Sequence, residues 1–340
     1  MKKKGPTLRD IARLAGVSHT TVSRVLCNDP RVREDTARQV LAVVDAHNYR
    51  PDPLARRLAR GRSNLIGLMV SDVKNPFYAE LARSIEDQAR KMGYLVTICS
   101  TDEQAEVLAW YTDAVINAGV DGLIFASVRL AEPVVESLIR EGFPLLMINR
   151  RLRADVGGSV VLDNRKGAYL LTRHLIKSGY RRIALINGPA DVSTAAERLG
   201  GYCQALGESG LDVYEPHVRH VNFTRQDGFD TAMALLSGQA RPDAVFGGND
   251  YLAMGVLDAA ATLGLAVPGD LAVVGFDNTE LAQSMALTTV SQQLFQMGAL
   301  AVKALIRSIE GRPQAEPVRI VLEPELIIRN SSRPHGPPPA

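Results

Sequence analysis

The segment SHTTVSRVL (18–26) places Val22, Val25 and Leu26 at helical spacing, which leaves His19, Thr20, Ser23 and Arg24 free to point outward. Side chains presented this way on a short helix can read base edges in the major groove of DNA. Arg24 suits a bidentate contact to guanine, and His19 and Thr20 stand near the helix start where neighbouring bases would lie. Thr7 and Thr21 suit phosphate contacts, as does Ser18 at the helix cap. A second constellation follows in PDPLARRLAR (51–60), where Leu54, Ala55 and Leu58 share one helical face and Arg56, Arg57 and Arg60 lie around it. A leucine at an exposed helix end can wedge between base steps in the minor groove and kink the duplex. Taken singly, each stretch also suits a duller reading, a solvated helical bundle and a solvated basic linker.

Charge separates the two readings. Residues 1–62 hold fourteen Lys and Arg against six Asp and Glu, a surplus of eight, although the whole chain carries only +2. A basic head on an acidic body is the asymmetry of a nucleic-acid-binding module joined to something else. The three cysteines, Cys27, Cys99 and Cys203, lie far apart with no C-x-x-C pair, which argues against a disulfide framework or a zinc site and fits a reducing cytoplasm. The basic N-terminus is followed by no apolar signal region, and no run approaches the roughly 18–20 apolar residues that span a bilayer. The expectation is a cytoplasmic, nucleoid-associated protein without a membrane partner.

Three short helices over 7–48 must position the base-reading side chains. Thr7 and Asp10 have the spacing of a capping box, and Leu8, Ile11, Ala12 and Ala15 form an apolar face. Gly16 and Val17 break the first helix, Ser18 caps the second, and a third carries Val40, Val43, Val44 and His47 on one side. From Asn64 the texture changes: LIGLMV (65–70), YLVTIC (94–99), GLIFAS (122–127), PLLMIN (144–149), SVVLD (159–163), RIALIN (182–187), DAVFGG (243–248) and LAVVGF (271–276) alternate with helical stretches. Continuous apolar strands between helices predict parallel sheets covered on both faces, here in two doubly wound subdomains. The tail, residues 334–340, cannot contribute to a core.

No G-x-G-x-x-G after a strand, P-loop, G-x-S-x-G elbow or H-E-x-x-H is present, so neither an enzyme nor a cofactor is expected. His217 and His220 are three apart near a strand and are expected at the surface rather than on a metal.

TLRDIARLAGVSHTTVSRVL (7–26), NYRPDPLARRLARGRSNLIGLMV (48–70), NPFYAEL (75–81), RLGGYCQAL (198–206), GGNDYLAMGVL (247–257), VVGFDN (273–278) and LTTVSQ (287–292) together resemble the lactose repressor and galactose repressor family of bacterial transcription factors, over nearly the whole chain. The resemblance implies an all-α helix-turn-helix head (1–48), a hinge helix (49–62) and an α/β core (63–333) like the periplasmic binding proteins. In that core, subdomain one spans about 63–161 and 292–321, and subdomain two about 162–291 and 322–333, joined by three crossings. It further implies that His19, Thr20 and Arg24 read bases, that Leu58 intercalates at the operator centre, and that small Ala55 lets two hinge helices pack. Arg56 is grouped with them.

In the core it implies a cleft lined by Ser71, Phe77, Tyr78, Asn149 and Arg150 from one subdomain and by Arg198, Asn249 and Asp277 from the other. Fixed donors and acceptors with an aromatic cover suit a sugar or sugar acid, and Val192 stands where purine-binding relatives carry Arg. Duller roles stay open: Asn249 and Asp277 as helix caps, Arg198 in a surface pair with Glu197 or Asp191, Phe77 or Tyr78 as packing, since adjacent residues should not both face the core. The function expected is a sequence-specific regulator, a repressor, binding near-palindromic operator DNA as a homodimer (a tetramer is left open) under control of that effector. The rivals are a catabolite-control regulator answering to a phosphorylated carrier protein, a periplasmic sugar-binding protein, and an enzyme.

Overall fold

The computed structural model describes residues 6–26, 29–49, 62–154, 156–311 and 316–333. Cys27, the segment carrying Ala55, Arg56 and Leu58, and the tail 334–340 lie outside the described residues. The chain divides into two compact units, residues 1–64 and 65–340.

The first unit is built from α1 (Leu8–Leu14), α2 (His19–Leu26) and α3 (Glu34–Ala46). Thr7 and Asp10 form the expected capping box, satisfying amide groups that the helix start would otherwise leave bare. Gly16, at φ 63°, supplies the left-handed turn, and the Ser18 hydroxyl accepts from the Thr21 amide at 3.0 Å to start α2. Ile11, Ala12, Ala15, Val22, Val25 and Val40 make the core, closed by Tyr49, which the sequence reading had put in the hinge. His47 departs from expectation: it is exposed beyond the end of α3, where its ring meets the Val43 carbonyl at 3.1 Å.

The second unit opens with β1 (Leu65–Val70), α4 (Pro76–Lys91), β2 (Leu95–Ser100), α5 (Ala105–Ala118), β3 (Gly122–Phe125), α6 (Pro133–Arg140), β4 (Leu145–Ile148) and β5 (Ser159–Leu162). It continues with α7 (Asn164–Lys177), β6 (Ile183–Asn187), α8 (Ser193–Gly207), β7 (Val218–His220), α9 (Arg225–Leu236), β8 (Ala244–Gly247), α10 (Asp250–Thr262), β9 (Ala272–Val274), α11 (Glu280–Ser284) and β10 (Thr289–Ser291). It ends with α12 (Leu294–Ile309), β11 (Arg319–Leu322) and β12 (Glu325–Ile327). One parallel sheet runs β11-β5-β4-β3-β1-β2 and a second runs β7-β6-β8-β9, while β10 and β12 pair antiparallel. The chain therefore passes between the sheets after β5, after β10 and after β11. Strands β1, β3, β4, β6 and β8 are buried almost throughout, as their unbroken apolar runs require.

Two strands break the expected pattern. β2 is an edge strand with Leu95 and Ile98 exposed rather than a strand covered on both faces. β7 is too short and polar to show in the sequence; His217 just before it is buried, contrary to expectation, with its ring 2.7 Å from the Ala240 carbonyl, whereas His220 on it is exposed as expected, its ring 2.7 Å from the Gly188 carbonyl.

Helices α7 and α8 pack backbone to backbone at Gly201, where an added Cβ would collide with the Arg165 carbonyl oxygen. That obstacle is backbone and cannot rotate away. Gly201→Ala should therefore lower unfolding free energy by about 1–3 kcal/mol despite the better helix former, a loss read from the urea midpoint of the intact protein. An unchanged midpoint would mean the helices can slide apart at no cost.

Candidate functional sites: a DNA-reading helix and a closed interlobe cavity

In the head, α2 exposes His19, Thr20 and Arg24 while Val22 and Val25 are buried, and Ser23 is half-buried. The hydroxyls of Thr7 and Ser18 are engaged in the caps of α1 and α2, and that of Thr21 lies 2.9 Å from the Ser18 hydroxyl. Their remaining capacity toward a phosphate is therefore smaller than that of an uncommitted side chain.

The second site is a cavity between the two sheets. At its first wall, Asn75 caps α4 by accepting from the Phe77 amide at 3.1 Å, with Pro76 at the first helical position. This start turns both Phe77 and Tyr78 inward. The two rings meet edge to face with centroids 5.0 Å apart, and both line the cavity, contrary to the expectation that only one could be buried. Ser71 does not reach the wall: it stands behind Tyr78 and donates to the phenol oxygen at 2.5 Å.

Asn149 and Arg150 follow β4, with Asn149 at φ 67°, an uncommon conformation for a residue with a side chain. Arg150 is 2% exposed and held by a residue that the sequence reading missed. Its Nη1 and Nη2 donate to the two carboxylate oxygens of Glu103, at 2.9 and 2.8 Å. Burial alone would push the Glu103 carboxyl up, yet the Arg150 charge and hydrogen bonds hold it below its ordinary value.

The other wall comes from the second sheet. Arg198 stacks 3.9 Å over the Phe276 ring, donates through Nε to Asn164 at 2.9 Å and through Nη1 to the Gly248 carbonyl at 2.5 Å. It does not pair with Glu197 or Asp191. Its Nη2 lies 4.0 Å from Asp277, whose carboxylate accepts from Gln292 at 2.5 Å. Burial drives Arg198 down to about 10 and raises Asp277 well above its ordinary value, so desolvation outweighs the attraction of this loose pair. Asn249 does cap a helix, accepting from the Leu252 amide at 2.8 Å, and also lines the cavity. Asp277 caps nothing; Thr279 caps α11.

The structure thus brings seven of the eight expected core residues to one cavity, with Asn75, Thr194, Phe223 and Gln292 as additional lining. Asn75 and Gln292 lay within the motifs NPFYAEL and LTTVSQ, whereas Phe223 and Thr194 gave no periodic signal. The cavity is closed to about 20 Å³, room for roughly one water. Between the two lobes, Arg129 pairs with Asp191 and Arg151 with Glu197, and the Glu280 amide donates to Glu80 at 2.9 Å. Among the described residues, the cavity lining holds three buried polar atoms without protein partners: Asn149 Oδ1, Gln292 Oε1 and Arg150 Nε.

Residues 7–52 match the bacterial regulatory proteins of the lacI family, and residues 63–328 match the periplasmic binding proteins and sugar-binding domain of the LacI family. The HTH-type transcriptional regulator DegA of Bacillus subtilis is 37% identical over 96% of this chain and 98% of its own length. The ribose operon repressor of Escherichia coli is 36% identical over 96% and 99%. The Lac repressor dimer bound to operator and the anti-inducer ONPF superposes with a TM-score of 0.85 at 27% identity, over 97% and 100%.

The buried Glu103–Arg150 pair makes a prediction of its own. Glu103→Ala strands a buried guanidinium and should cost about 3–5 kcal/mol at pH 7. Because Glu103 titrates below its ordinary 4.5, the pair's contribution is present above that pH and is lost as pH falls through the depressed value. Urea midpoints of the two proteins should therefore converge in acid. A gap that stays the same size as acid is added, with no sign of narrowing below pH 4.5, would remove the ion pair as its cause.

Proposed function

The chain belongs to the LacI family of bacterial regulatory proteins, and from that premise we propose that its interlobe cavity binds a small polyhydroxylated effector which sets the affinity of the head for operator DNA. The chain is a DNA-binding transcriptional repressor with a sugar-binding core, acting as a dimer on operator DNA. The observation that supports the effector reading is the convergence of two orphan acceptors and one orphan donor beside Phe77, Tyr78 and Phe223. Unpaired polar atoms in a closed, aromatic-walled space are costly unless a ligand completes them. Hydroxyls do so by donating and accepting at once, while the rings cover the sugar's C–H faces.

In this reading the three crossings between the sheets act as the hinge. Effector and closed cleft stabilise one another, and the equilibrium moves only by the effector's differential affinity for the two states. His19, Thr20 and Arg24 would read the half-site; Leu58 with Ala55 and Arg56 would enter the operator centre, as the family resemblance implies. The site reads as a receptor rather than a catalyst, because its one lining carboxylate, Asp277, is tied to Gln292 and Arg198. A repressor acting on bacterial DNA would work in the cytoplasm, and no helix among the described residues is long and apolar enough to cross a membrane.

The edge strand β2 exposes Leu95 and Ile98, and α5 exposes Trp110, large apolar side chains better suited to a second copy than to water. Three measurements test the whole reading. An operator selected from genomic DNA should be bound by the intact protein and released or tightened by a monosaccharide; response to a phosphorylated carrier protein and to no sugar would favour the rival regulator. Arg24→Ala should cost about 1–3 kcal/mol on that operator and little on bulk DNA, and equal losses on both would make Arg24 a mere phosphate contact. Leu95→Glu should shift the sedimenting species from dimer to monomer and weaken operator binding with it. A dimer that persists would place the interface elsewhere.

A further inference from the structure

We infer that the effector is electrically neutral, and that Glu103 sets this choice by occupying the charged edge of Arg150. The inference rests on the cavity being the effector site. Two guanidinium groups at a sugar site would ordinarily invite an acidic sugar or a sugar phosphate, because guanidinium recognises both through paired N–H donors. Here that capacity is already spent. The Nη1 and Nη2 of Arg150 hold both oxygens of Glu103. Arg198 is divided among Asn164, the Gly248 carbonyl, the Phe276 face and the more distant Asp277. Of the two cations, only Arg150 Nε is a buried donor without a partner.

The orphan acceptors point the same way. Gln292 donates its amide N–H to the Asp277 carboxylate, which fixes the orientation of the amide and leaves Oε1 as an acceptor. Asn149 Oδ1 also waits for a donor. A hydroxyl can donate to either and accept from Arg150 Nε, whereas a carboxylate or phosphate dianion offers acceptors alone. An anion would also bring a negative group toward the Glu103 carboxylate, which Arg150 holds in its charged form, in a water-poor space where like charges repel strongly.

Glu103 is a positioning residue, since it acts through Arg150 and is not part of the cavity wall. Its place depends on the turn between β2 and α5, where Asp102 and Glu103 adopt φ 50° and 57° and the Glu103 carbonyl accepts from Arg129 at 2.9 Å. That contact ties the Glu103 backbone to the same arginine that pairs with Asp191 from the other lobe. Selection for a neutral ligand and closure of the cleft thus share one loop.

The test is calorimetry on the intact protein with matched pairs: glucose and glucuronate, galactose and galacturonate, ribose and ribose 5-phosphate. In whichever pair binds, the neutral member should bind at least tenfold more tightly than the anionic one. Glu103→Gln keeps the shape and one acceptor while removing the charge, and should narrow that ratio tenfold or more. A merely structural role would weaken both members alike and leave the ratio untouched. Tighter binding of an anionic member by the unaltered protein overturns the inference while leaving the sugar site standing, as does an unchanged ratio in Glu103→Gln. If none of the six binds, the monosaccharide reading of the cavity falls, and this inference with it. The comparison within the unaltered protein decides the matter even if the variant does not fold.

Discussion

A guanidinium removed from water must be paired, and the architecture around the cavity answers that requirement at Arg150. Stranding such a charge costs several kcal/mol, so whatever places Arg150 in the interior must also deliver a carboxylate to it. The partner arrives from a different strand connection, 47 residues earlier in the chain, on a left-handed turn that few side-chain-bearing residues adopt. The strain of that turn and the desolvation of the pair are tolerated because the sheet holds β2 and β4 in fixed register with β1 and β3 between them. Arg198 faces the same constraint on the opposite wall and meets it differently, with an aromatic face, a carbonyl and an amide, and only a loose carboxylate. Both arginines are thereby compensated, although Arg150 Nε keeps one unpartnered N–H.

The unpaired groups of the cavity lie on Asn149, Arg150 and Gln292, and none lies on Arg198. Most buried polar atoms in a folded protein have partners, so three orphans on residues lining one cavity mark a site whose final partner is supplied from outside. The same reasoning separates these atoms from Thr172, whose buried hydroxyl is also unpartnered but lies outside the cavity.

Much of this arrangement was visible in the sequence, for a definite reason. A strand buried on both faces must be apolar without interruption, so β1, β3, β4, β6 and β8 announce themselves, and the polar residues at their carboxyl ends, Asn149 and Asn249 among them, are then conspicuous. The head was legible through its caps: Thr7 with Asp10, Gly16 and Ser18 state where helices start and stop. What could not be read was whatever depends on chain segments distant in sequence. Glu103 is an ordinary polar loop residue until the fold sets it against Arg150. Phe223 has no periodic neighbours, and Ser71 satisfies every expectation of a lining residue except that Tyr78 stands in front of it. Strands β7, β10 and β12 are three residues each, too short for alternation to distinguish them from a loop. Phe77 and Tyr78 show the limit most plainly, because adjacent residues can share a surface at a helix start, where the wall meets the helix end rather than its side.

The contacts that close the cleft are weak where strength would defeat the purpose. Arg129–Asp191 and Arg151–Glu197 each have one member at least half exposed, and ion pairs in that setting contribute at most about 1 kcal/mol apiece. The Glu80 carboxylate adds one hydrogen bond to the Glu280 amide. With the Leu130 amide donating to the Asp191 carbonyl and the Arg151 amide to the Ser193 hydroxyl, closure rests on a handful of individually weak contacts between the lobes, together with the incompletely satisfied groups inside. Moving a two-state equilibrium from one side to the other takes roughly 5.5 kcal/mol of differential binding. Three completed hydrogen bonds and an aromatic cover lie in the range that can supply it. A tighter latch would hold the cleft shut regardless of the effector, and a fully satisfied interior would make the effector's arrival energetically silent. The orphan atoms and the weak rim are two halves of one requirement, that closure be decided by the ligand and not by the protein alone.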